Sequence, residues 1–192
     1  MPTVNDVLAA VPIYHQVRNI PYGGIGQRRV EDVLVNGRGS CSGKHLLLQK
    51  RLRQAGYRAE VVTIFTWFDL GIPNHPAMPD EIRAMLTVGK VPDYHHYVEL
   101  HIGERVLKLD ATWHDGLKPF GFPVNDCWDG AGDTVLAAPA VDYFPPQDDL
   151  AGFKAAKVAA LSQNMQERRR RFFQATADWI TELLRAEPVL RS

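Results

Sequence analysis

Cys41 stands in Asn36-Gly37-Arg38-Gly39-Ser40-Cys41-Ser42-Gly43-Lys44-His45, a Gly/Ser-rich turn that runs into an apolar helix. A thiol at a helix N-terminus faces unpaired backbone N–H groups and the positive end of the helix dipole, both of which favour the nucleophilic thiolate. Two strand-like segments follow, Tyr94-His95-His96-Tyr97-Val98-Glu99-Leu100 and Leu107-Lys108-Leu109-Asp110-Ala111-Thr112. They offer an imidazole base and a carboxylate to orient it. Cys41, His95 and Asp110, in that order, have the residue types needed for nucleophilic attack on a carbonyl and proton delivery to a leaving group.

Which histidine serves depends on strand register. A two-residue turn at Gly103-Glu104 pairs Ile102 with Arg105, sets Tyr97 opposite Asp110 and makes His95 its diagonal neighbour on the same face. The other face then collects Val98, Leu100, Ile102, Leu107 and Leu109. A three-residue turn would set Leu109 opposite Glu99 and mix polar with apolar, and a one-residue slip moves every side chain to the other face. The two-residue turn is therefore expected, with His95 as the base and His96 on the apolar side.

Other chemistry-bearing residues have plainer readings. His96, His101 and His114 read as surface or internally bonded histidines. Cys41 and His45 have the i, i+4 spacing of a helical metal pair, with Cys127 as a conceivable third ligand, but no short paired-ligand motif accompanies them and no metal is expected. Gly39-Ser40-Cys41-Ser42-Gly43-Lys44 imitates a phosphate loop with one residue too few between its glycines and His45 where Ser or Thr belongs. Gly24-Ile25-Gly26 lacks the third glycine of a dinucleotide fingerprint. Arg168–Arg171 reads as a solvated helix face.

These residues need elements to hold them. The 192 residues suit one domain able to bury a core without disulfides or metals, and 45% hydrophobic with 23% charged residues is ordinary for a globular chain. Lys+Arg and Asp+Glu both total 22, so charge gives no sign of a nucleic-acid or membrane partner. Met1 to Asp6 carries no basic or apolar leader, no apolar run nears the ~20 residues that span a bilayer, and a cytoplasmic protein with free thiols is expected. Helices are expected at Thr3–Val11 (stopped by Pro12), around Arg29–Leu34, and at Ser42–Ala55 with Gly56 after its end. A strand is expected over Arg58–Phe68 and a short helix near Asp80–Leu86, followed by the hairpin His95–Ile102 and Arg105–Thr112. Residues 13–26 read as mainly loop after a short ordered piece and Lys118–Pro146 as largely irregular. One long helix is expected from about Leu150 to Arg185, with Leu161, Met165, Phe172, Trp179 and Leu183 on its apolar stripe.

Taken together, Gly39-Ser40-Cys41, His95-His96-Tyr97-Val98-Glu99 and Leu109-Asp110-Ala111-Thr112 resemble the transglutaminase-like branch of the papain-type cysteine enzymes. Val17-Arg18-Asn19-Ile20-Pro21-Tyr22 and Leu52–Ala59 resemble the segments flanking the cysteine helix in that family. Tyr97 stands where tryptophan is common, and Ser40 where animal transglutaminases carry glutamine. The resemblance spans roughly Val17 to Thr112. It implies an α+β fold in which the cysteine-bearing helix packs on an antiparallel sheet, with a long C-terminal helix added. The layout implied is one domain over 1–192, with a core at about 13–115, an irregular segment at 116–149 and the final helix at about 150–186. It further implies a Cys41–His95–Asp110 triad, with no cofactor, acting through a thioester on a peptide, protein or small amide or acyl substrate. Two alternatives accompany it. One is a small-molecule-pathway acyltransferase or amide-forming enzyme on the same fold, since Arg38-Gly39-Ser40-Cys41 is distantly similar to the Arg-Gly-Gly-x-Cys of arylamine N-acetyltransferases. The other is a non-catalytic binding module.

Overall fold

Residues 7–23 and 29–190 are described by a computed structural model; the expected Thr3–Asp6 capping pair and Gly24-Ile25-Gly26 lie outside them. The β-branched and aromatic run after Gly56 forms strand β1 (Arg58–Trp67), as its composition demands. Strands β2 (Pro92–Ile102), β3 (Arg105–Leu109) and β4 (Ala140–Phe144) complete a sheet of order β3-β2-β1-β4 in which every neighbouring pair is antiparallel. Ile102 faces Arg105 and Val98 faces Leu109, the register of the two-residue turn. Gly103 supplies the positive φ of 58° that so tight a turn requires.

Two hairpin boundaries differ from expectation. Strand β2 begins three residues early because Asp69 captures the backbone N–H groups of Lys90 and Val91 and feeds the chain straight into the ladder. Strand β3 stops at Leu109, because the Asp110 N–H donates to Thr134 Oγ1 and the Thr112 N–H folds back onto the Asp110 carboxylate. Strand β4 lies in the segment expected to be irregular. It is a mostly exposed edge strand paired only with β1 and followed by Pro145-Pro146, so it lacks the buried alternation that sequence reading relies on.

Helix α1 spans Val7–Arg18, α2 Val30–Asn36, α3 Cys41–Gln54 and α4 Asp80–Val88. The expectation that Pro12 ends the first helix is wrong. Val7, Ala10, Tyr14 and Val17 form one buried face, while Leu8 and Pro12 are exposed, so tertiary packing outweighs a single lost backbone bond. The short ordered piece expected from Ile13 is the continuation of this helix, which runs to Arg18. Leu47, Leu48 and Leu52 of α3 join that face to Ala59, Val61, Val98, Leu100, Leu107 and Leu109, the last four being on the apolar side assigned from register. Each such leucine contributes about 1.5–3 kcal/mol by leaving water.

The C-terminal helix is two helices. Helix α5 (Leu150–Ala159) ends at Ala160, and α6 (Gln163–Leu190) restarts after Ser162. Ser162 accepts from the Met165 N–H, and Gln166 Nε2 donates to the carbonyls of Ala159 and Leu161. Polar side chains thus satisfy a break that the apolar stripe conceals. The stripe holds where α6 packs. Phe172, Trp179 and Leu183 are buried with Phe68, Ile82, Val91, Trp113 and Phe122, while Leu161 and Met165 are only half-buried. Among the described residues no helix is long and apolar enough to cross a membrane.

Candidate active site

Gly39 sets the entry to α3. Its N–H donates to the Pro21 carbonyl, its carbonyl accepts from Gly23, and a Cβ there would meet Val33 Cγ2 at 2.7 Å. Ser40 follows as N-cap, its hydroxyl accepting from the Gly43 N–H at 3.4 Å, so Cys41 is the first helical residue. The backbone N–H at that position has no partner within the helix and stands at the positive end of the dipole. Cys41 itself is buried.

The structure brings the three expected residues together. Cys41 Sγ and a ring nitrogen of His95 lie within 4.8 Å. His95 Nε2 is engaged elsewhere, donating to Asp110 Oδ2 at 2.7 Å, while Nδ1 is buried with no hydrogen-bond partner among the described residues. Asp110 is fixed from four sides. Oδ1 accepts from the Thr112 N–H and hydroxyl at 3.0 and 2.6 Å, and Oδ2 also accepts from the Ala137 N–H at 2.7 Å. Burial would depress the His95 pKa, but the Asp110 charge and the adjacent Cys41 push it up to about 10. Burial would raise the Cys41 thiol, but the cations Lys154 and His95 outweigh it and bring it down to about 7. Burial also opposes ionisation of Asp110, yet the positive charge and hydrogen bond of His95 hold its carboxyl well below the usual range. At neutral pH His95 is an imidazolium, and a thiolate is readily formed beside it.

A second set of charges, which sequence reading missed, surrounds the sulfur. Lys154 of α5 points its ammonium at Cys41 Sγ from 3.8 Å and lies 3.3 Å from Asp93 Oδ1. Arg169 of α6 donates to the same oxygen through Nε at 3.2 Å and Nη2 at 2.5 Å. Arg169 is buried, so the expectation of a wholly solvated Arg168–Arg171 face is corrected: apolar neighbours and the Asp93 carboxylate draw one member inward. Arg171 does pair with exposed Glu81 and Arg170 with Glu167. A signal for Asp93 existed, since i and i+2 share a strand face; the late expected start of β2 hid it. Nothing in spacing distinguishes Lys154 from the neighbouring Lys157.

Cys41, Asp93 and His95 are by type a conceivable metal-binding trio. Two cations already lie on Asp93, which makes the trio part of an ion-pair network. His45 does not face a ligand site: Nδ1 donates to the Cys41 carbonyl and Nε2 accepts from the Ala111 N–H, each at 2.8 Å, which defines its neutral tautomer. Lys44 is equally internal, bonding the carbonyls of Arg18 and Thr112 rather than a phosphate. His96 is buried with Thr63 Oγ1 3.1 Å from its Nδ1. Cys127 is exposed. The space beside Sγ, lined in part by Tyr22, Ser40, Asp93, Lys154 and Phe173, is about 20 Å³, room for about one water.

No protein-family model and no curated protein matches the sequence. Among solved structures, a candidate cysteine protease of Cytophaga hutchinsonii is similar at 16% identity with a TM-score of 0.41. The match covers 74% of this chain and 37% of that one, so this chain spans little more than a third of that protein's length.

Proposed function

We propose that the chain is a transglutaminase-like cysteine enzyme performing hydrolysis or acyl transfer at an amide, peptide or glutamine-type, through a thioester on Cys41. One observation carries this reading: a thiol at a helix N-terminus within 4.8 Å of an imidazole whose far nitrogen is held by a buried carboxylate. The Cys41 thiolate attacks the carbonyl carbon. His95 donates its proton to the departing amine as the C–N bond breaks, and Asp110 keeps the imidazole aligned. Water or an amine then attacks the thioester, with His95 accepting the incoming proton.

The test is the pH dependence of Cys41 alkylation. With Cys127 replaced by serine, iodoacetamide labelling followed by mass spectrometry should show a Cys41 midpoint near 7. Below it the rate should fall tenfold per pH unit as the thiolate is lost. His95→Ala should move the midpoint up by removing a nearby cation, whereas His96→Ala should leave it in place. Equal effects from the two histidines, or a midpoint at the ~8.5 of an ordinary thiol, would count against the triad.

A further inference from the structure

Lys154 is the charged group on the sulfur that the triad does not use. Arg169 neutralises Asp93 through two N–H groups, while the Lys154 ammonium, equally buried, has the Cys41 sulfur in front of it. Helix α5 is anchored for this by Asp149, which caps it by accepting from the Gly152 N–H at 2.9 Å, and by buried Leu150. A helix N-terminus supplies one oxyanion donor, the Cys41 N–H. A tetrahedral intermediate on Sγ needs a second, about 3 Å from the oxygen rather than from the sulfur. An ammonium 3.8 Å from Sγ, with both groups lining a space of about one water's volume, leaves an acyl oxygen on that sulfur within hydrogen-bond reach of Nζ.

We infer that Lys154 is a catalytic residue whose ammonium donates a hydrogen bond to the oxyanion formed when Cys41 attacks an acyl carbonyl. The inference rests on Cys41 being the nucleophile. As the S–C bond forms, the carbonyl π pair moves onto oxygen, and Lys154 stabilises that charge without giving up its proton. When the carbonyl re-forms, the leaving group departs with the bonding pair, an amine taking its proton from His95. Lys154 also favours the thiolate, so the two roles must be separated.

The experiment compares a reaction that makes an oxyanion with one that does not. Acylation by p-nitrophenyl acetate passes through a tetrahedral oxyanion; displacement of iodide from iodoacetamide does not. Both rates are measured against pH in the Cys127→Ser background for the parent, Lys154→Met and Lys154→Gln. For Lys154→Met both midpoints should rise. On the high-pH plateau, where Cys41 is ionised in every variant, acylation should stay about 10²–10³-fold low, with alkylation within about threefold. Lys154→Gln, which keeps a neutral donor and covers the case in which the methionine variant fails to fold, should show the same divergence to a smaller extent. Equal changes in both plateaus, or full recovery of acylation at high pH, would overturn the inference and leave Lys154 as a thiolate partner only. The nucleophile reading fails differently: p-nitrophenolate release would survive Cys41→Ala, or no acetyl or carbamidomethyl group would appear on Cys41.

Discussion

Replacing Asp110 with asparagine is expected to cut Cys41 acylation by about 10⁴, by analogy with other Asp-to-Asn triad variants, and to destabilise the fold by about 3–5 kcal/mol. Both carboxylate oxygens only accept: one takes the Thr112 N–H and hydroxyl, the other the Ala137 N–H and His95 Nε2. An amide must place its NH₂ against one of those donor pairs whichever way it is turned. Loss of the negative charge also removes the main force raising the His95 pKa, so the imidazolium that stabilises the thiolate discharges nearer neutrality. The stability effect has a sign in pH. Because the folded carboxyl is held well below its usual range, its contribution is present at neutral pH and disappears as the pH falls toward that value. The variant should therefore lose part of the parent's sensitivity to acid. Urea unfolding at two pH values, with p-nitrophenyl acetate acylation, reads all three effects. Acylation within tenfold of the parent would show Asp110 to be a structural residue. Thr112→Val, which removes one hydrogen bond to the carboxylate, should cost less, about 1.5–3 kcal/mol.

Trp179→Ala should destabilise the chain by about 3–5 kcal/mol, while Trp179→Phe should cost under about 1.5 kcal/mol. The indole is 2% exposed, with Phe122 5.6 Å away centroid to centroid, and joins a buried cluster with Phe68, Trp113 and Phe172. Its Nε1 has no hydrogen-bond partner among the described residues, so a phenyl ring gives up volume but no bond. Chemical denaturation of both variants decides it; equal large losses would mean that the indole N–H has a partner after all. For the same reason, a chain ending at about Leu150 should be insoluble or unfolded, because it uncovers Phe68, Trp113 and Phe122 together.

Much of the site was legible because its parts obey local rules. The Gly/Ser turn before an apolar run marks the start of α3, and one criterion, keeping Val98, Leu100, Leu107 and Leu109 on a common face, fixes the hairpin register and selects His95 over His96. What escaped was non-local. Pro12 looks like a stop until Tyr14 and Val17 find α3. Strand β4 has little buried alternation to reveal it. The break at Ala160–Ser162 is made by side-chain bonds to backbone that leave the apolar period intact. Lys154, Asp93 and Arg169 meet only because α5 and α6 return across the sheet, and no periodicity encodes that return.

The charges around Cys41 are balanced: His95, Lys154 and Arg169 against the Cys41 thiolate, Asp93 and Asp110, all buried. In the proposed reaction, forming the S–C bond moves one negative charge off the sulfur beside His95 and onto the acyl oxygen. His95 then stands next to a neutral sulfur where little water can screen its charge. It loses one of the influences that had raised its pKa. Attack would thus loosen the His95 proton just before the C–N bond breaks, when the leaving amine needs it.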